Sequence, residues 1–164
     1  MNCPIRPVIF VATAIACLTA QAVGASGIEF EFDGEKRHFI PEMEGARTGF
    51  TRFLSVDAVS MEGADGPARL VLEFSLPPGA RMGDAPHDAR ISFRPDGWRD
   101  YWVSPPDFPD GAVMIEYLRL SGPAPRITGR FTVPLCFTKS TIHPPDPARC
   151  KTATGAFDTT LVPD

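Results

Sequence analysis

Three histidines, two tryptophans and four cysteines are the residues of this chain best suited to chemistry, and their spacing decides what each can do. His38, His87 and His143 form no H-x-H or H-x-x-x-H pair, the spacings that place two imidazoles on one metal from a single element. His143-Pro-Pro-Asp146 pairs an imidazole with a carboxylate. The diproline favours polyproline II, however, where three residues advance about 9 Å and hold the two groups too far apart to share an ion. We therefore expect no metal and no cofactor. Hydrolase signatures are missing too: the chain has no G-x-S-x-G, H-E-x-x-H or S-x-x-K motif and no Gly-rich phosphate loop. The expectation is a protein that is not an enzyme.

The aromatic run Trp98-Arg-Asp-Tyr-Trp102 holds both tryptophans beside the Pro95-Asp-Gly97 turn. In an extended strand, Trp98, Asp100 and Trp102 share one face. Exposed, they make a flat stacking platform for a sugar ring or a peptide, with a carboxylate between the rings; buried, the two indoles cap the core. These three residues are the candidate ligand site. Beyond residue 25 the chain has neither Asn nor Gln, so amide side chains are unavailable for recognition and no N-glycosylation sequon exists.

The cysteines divide by position. Residues 1–25 read as an export signal: Arg6 in the n-region, an apolar stretch from Val8 to Ala20, and small residues for cleavage after 22 or 25. The stretch is shorter than the ~20 residues of a membrane span. Ala14-Ile15-Ala16-Cys17 resembles a lipobox, so the alternative is a membrane-anchored envelope lipoprotein with a structural or assembly role, diacylated on Cys17. Otherwise the protein is periplasmic or secreted. Cys136 and Cys150 remain in the mature chain, and an oxidising compartment predicts a disulfide between them. Its loop is worth roughly 3 kcal/mol in the chain-entropy account.

These cysteines flank two near-copies of one strand. Ile127-Thr-Gly-Arg-Phe-Thr-Val-Pro-Leu135 matches Ala153-Thr-Gly-Ala-Phe-Asp-Thr-Thr-Leu161 at Thr, Gly, Phe and Leu. If Cys136 lies opposite Cys150 on antiparallel strands, paired positions sum to 286. Phe131 then faces Gly155 and Phe157 faces Gly129, each ring covering the bare backbone of a glycine across the ladder.

No helical period is present beyond the signal; alternation of period two recurs instead. It marks strands at 28–32, 37–40, 50–60, 70–76, 91–93, 98–103, 113–120 and the two copies. Asp-Gly occurs at 33, 65, 96 and 110, where it supplies the positive φ of tight turns. Prolines cluster between the strands and exclude helix. The prediction is an all-β fold, a single antiparallel β-sandwich domain of about eight or nine short strands over 26–164. A sandwich is preferred to a barrel because the last strand pair has one apolar and one polar face. Losing Arg6 leaves 15 basic and 20 acidic residues, a net of −5 with no basic run, which argues against nucleic acid as a partner. The expected function is binding, with a protein, glycan or envelope component as partner.

Overall fold

The computed structural model describes residues 26–41, 49–53, 56–109, 111–120, 123, 125–140 and 142–163. The export signal and Cys17 lie outside the described residues. The strands are β1 Gly27–Phe32, β2 Glu35–Pro41, β3 Gly49–Phe53, β4 Val56–Asp65, β5 Ala68–Leu76, β6 His87–Arg94, β7 Tyr101–Val103, β8 Val113–Arg119, β9 Arg126–Thr138, β10 Cys150–Thr160 and β11 Val162–Pro163. The described residues contain no helix. Pairing is antiparallel throughout, except where β11 runs parallel to β3.

The two strand copies are β9 and β10, in the expected register: Cys136 opposite Cys150, Phe131 opposite Gly155, Phe157 opposite Gly129. The disulfide is formed. Both glycines are required by contact. A β-carbon at 155 would run into the Phe131 ring and the Glu29 carbonyl oxygen; one at 129 would meet the Phe157 ring and the Met114 carbonyl oxygen. All four Asp-Gly glycines, Gly34, Gly66, Gly97 and Gly111, have positive φ.

The sandwich expectation is corrected. Eight strands close into a barrel in the order β4-β2-β1-β10-β9-β7-β6-β5, and β5 returns to β4. The reason is visible in the pairings. One group of four, β2-β1-β10-β9, and another, β4-β5-β6-β7, face each other as two sheets would. Two short seams join them. One is Ile40–Ala64 with Pro41–Gly63; the other is Tyr101–Val103 against Cys136–Thr138. Gly63 permits the first, because a β-carbon there would lie 2.7 Å from Phe39 Cβ. A wall with one apolar and one polar face suits a barrel as well as a sandwich, so face polarity alone did not decide between them.

The stretch 50–60, expected as one strand, is two, β3 and β4, which pair with each other from Phe53 and Val56. No strand covers 98–100: that segment is turn, and β7 keeps only Tyr101–Val103. The strands are also not all short, since β9 has 13 residues and β10 has 11. That length lets β9 use its second edge twice, for β8 along its first half and β7 at its end.

Inward positions fill the interior. Phe131, Val133, Leu135, Phe157 and Leu161 are buried, Arg130, Thr132, Thr154 and Thr160 are exposed, and Thr128 and Asp158 are half-buried. Rings from opposite walls meet inside: Phe30 and Phe93 have centroids 4.8 Å apart, and Phe74 and Phe157 6.0 Å. An eight-stranded barrel is just wide enough to be filled by its own side chains or to hold one small ligand. Here phenylalanines take that room, with inward glycines making space for their rings.

Candidate functional site

Clefts lie on the outer surface and at the turns. The two tryptophans part company there. Trp102 lies in β7 and packs against the core, its ring edge-on to Phe32 at 4.9 Å and to Phe137 at 5.7 Å. Lys151 Nζ stands 5.6 Å from its centroid. Trp98 sits on the turn between β6 and β7 and is 84 % exposed. The structure does not bring Trp98, Asp100 and Trp102 onto one face.

Asp96 is the reason. Its Oδ1 accepts the backbone N–H groups of Trp98 at 3.2 Å, Arg99 at 3.0 Å and Asp100 at 3.5 Å. Amides held by a carboxylate are lost to the ladder, so the strand cannot start before Tyr101. The same bonds, that of Arg99 foremost, hold the Asp96 carboxyl below the ordinary carboxylate range. Gly97 is buried with φ of 80°, and a β-carbon there would lie 2.7 Å from the Pro67 carbonyl oxygen. The turn is thus clamped by Asp96 from within and wedged against the β4–β5 turn from outside. Trp98 projects from a fixed mount, with Arg99 and Asp100 exposed beside it. The Asp-Gly dipeptide signals the turn in the sequence, but nothing there distinguishes the indole that turns out from the one that turns in.

A broad trough of about 670 Å³ lies over the outer face of β2, β1, β10 and β9. Register builds it in two rows, His38-Glu29-Ala156-Arg130 and Lys36-Glu31-Thr154-Thr132. Small residues of β10 form the low centre and charged ones the rims. Lys36 pairs with Glu31 at 3.7 Å, and Arg130 with Glu116 at 3.3 Å. At exposed positions such pairs contribute little to stability.

One hydroxyl–imidazole contact has the reach of a nucleophile and its base: Ser140 Oγ lies 2.7 Å from His143 Nδ1. It is part of a turn. The His143 backbone N–H donates to the Ser140 carbonyl at 3.2 Å, and the buried Thr138 hydroxyl is shared between the Ser140 carbonyl at 2.8 Å and the His143 carbonyl at 3.1 Å. The Asp146 carboxylate accepts the Ala148 N–H at 3.0 Å instead of orienting the imidazole. His143 and Asp146 thus take different partners, and no group of three or more potential metal ligands occurs among the described residues. No described helix is long and apolar enough to cross a membrane. Comparison with family models, with curated proteins and with solved structures yields no match to this chain.

Proposed function

We propose that this is an exported binding protein without a catalytic role, whose contact element is the turn presenting Trp98. The observation that carries the reading is an indole 84 % exposed on a turn fixed by Asp96 and Gly97. A large aromatic left in water forfeits its burial free energy, and a rigid mount removes much of the ordering cost of later contact. Tryptophan is also among the residues that most often dominate binding interfaces. A side-chain-filled interior supports surface recognition over an enclosed substrate site. The Cys136–Cys150 bond supports an oxidising compartment, as export from a signal at 1–25 requires.

Trp102→Phe leaves Trp98 as the sole indole reporter. Its emission is expected at long wavelength and open to iodide quenching in the free protein. Purified peptidoglycan, vesicles of envelope lipid or soluble envelope protein is then added, and one of the three is expected to protect it. The unaltered protein is expected to bind that same fraction and Trp98→Ala to lose it. Undiminished quenching with all three would end the reading. The intact mass of the mature chain separates the secreted form, beginning at Val23 or Ser26, from the lipoprotein form anchored through Cys17.

A further inference from the structure

A cleft of about 460 Å³ opens on the opposite wall of the barrel from the trough, over the outer face of β5 and β6. Its floor carries Glu73 and Arg90, which stand directly opposite each other in the ladder. Opposite charges so placed ordinarily pair; here no ion pair joins them. Its two sides are stiff. Pro105 and Pro106 form one, held by Ser104, which donates its N–H to the Ile91 carbonyl at 2.9 Å and accepts the Ile91 N–H on its hydroxyl at 3.0 Å. The other is the disulfide loop, which contributes His143 and Pro145 and is pinned by Thr138. The Ser140 contact occupies His143 Nδ1 and leaves Nε2 as its remaining hydrogen-bonding atom.

The backbone carries a second, independent mark. Register slips by one between Glu73–Arg90 and Ser75–His87, so β6 bulges there. Within the bulge, Asp88 adopts φ of 51°, a left-handed conformation outside glycine. Bulges re-aim side chains and gather near functional sites, and a left-handed non-glycine residue persists where its surroundings impose it. Asp88 lines the cleft.

We propose that this cleft binds a small zwitterion, an amino acid or the free end of a short peptide. The carboxylates of Glu73 and Asp88 match an ammonium group. The guanidinium of Arg90, with its flat fork of donors, matches a carboxylate, and His143 adds a further donor or acceptor. Val71 and Val103 supply apolar surface for a small side chain. The volume lies within the usual range of small-ligand sites. Rigid walls reduce the ordering that binding would otherwise require. This inference does not depend on the role of Trp98.

The test is a titration of the oxidised mature protein with L-alanyl-L-alanine, followed by amide proton–nitrogen NMR. Shifts are expected at Ala89 to Ser92, Val103, Ser104 and His143. The N-acetylated dipeptide and the dipeptide amide are each expected to bind at least about tenfold more weakly, since each lacks one charge-assisted contact. Arg90→Ala should make dipeptide and dipeptide amide equivalent, and Glu73→Gln should do the same for free and acetylated amino termini. Reducing the disulfide should weaken binding while the Phe131 and Phe157 amides keep their positions, because the loop forms one wall. Trp98→Ala should leave binding unchanged. Absence of shifts at the cleft, equal binding of the capped forms, or unchanged binding after reduction would each overturn the proposal.

Discussion

Gly129 and Gly155 show how single residues set this fold. In an ordinary strand interior glycine is a weakness, since it packs nothing and loses the most entropy on folding. At 155 the sign reverses. Gly155→Ala would drive a methyl into the Phe131 ring on one side and the Glu29 carbonyl on the other. The ring has little space to retreat in a filled interior, and the carbonyl belongs to the β1–β10 ladder. We expect a loss of about 1–3 kcal/mol in urea unfolding, although alanine is the better strand former. A neutral or stabilising result would show that the ring does not need the glycine. Asp96 gives a second residue-level prediction. Its carboxyl is depressed in the folded turn, so its contribution is complete above the unfolded value near pH 4 and is lost as pH falls through the lower folded value. In an NMR titration Asp96 should be among the last exposed aspartates to protonate, and the Trp98 and Arg99 amides should move with its midpoint. Amides that ignore that titration would remove the clamp.

At the scale of elements, alternation, Asp-Gly turns and a cysteine pair were enough to place most strands and one register. β1, β2, β5, β9 and β10 follow their period-two patterns, because each has one face on the core. The features that escaped are those in which one chain segment responds to another. Asp96 consumes the amides that would have extended β7 back to Trp98. Glu116 is an extra residue in β8, where register slips between Ile115 and Tyr117, and no pattern announces it. That bulge, with Gly83 donating to the Ile115 carbonyl at 2.8 Å, guards the edge of β8 turned away from β9, where no strand pairs among the described residues. The cleft escaped for the same reason: its walls come from four segments, and the Pro105–Pro106 and disulfide-loop sides are not part of the β5–β6 ladder that carries Glu73 and Arg90. The disulfide acts at this scale. It closes a loop of 14 residues' separation between strands that pair from Cys136–Cys150 to Arg126–Thr160. Reduction should lower the melting temperature by roughly 10 °C, as a loss of about 3 kcal/mol implies for a domain of this size. The barrel should stay folded, since its core does not run through the loop. A melting temperature indifferent to reductant would mean that the loop is held equally well by Thr138 and its neighbours.

For the whole molecule the decisive feature is closure. The wall is thinnest at β2–β4 and β6–β7, with two pairs each, and at β7–β9, with three. Backbone pairing is therefore sparse where the barrel is most easily opened, and side chains must supply the rest. At the β7 seam Trp102 does so, bridging Phe32 of β1 and Phe137 of β9 while its own backbone pairs with β6 and β9. Local opening free energies vary with such differences in support. Hydrogen exchange should find the β7 amides and the amides of the β2–β4 seam exchanging through openings smaller than global unfolding. The amides of β9 and β10 facing each other should exchange only when the whole chain unfolds. Trp102→Ala should cost roughly 3 kcal/mol of global stability. It should also lower the opening free energy of β7 well beyond that of the β2–β4 seam, because the ring removed is a contact of the β7 seam alone. Equal loss of protection at both seams would mean that the barrel opens as one unit and that Trp102 is ordinary core. Protection of β7 matching that of β9 in the unaltered protein would show that three residues suffice to close the wall without the indole.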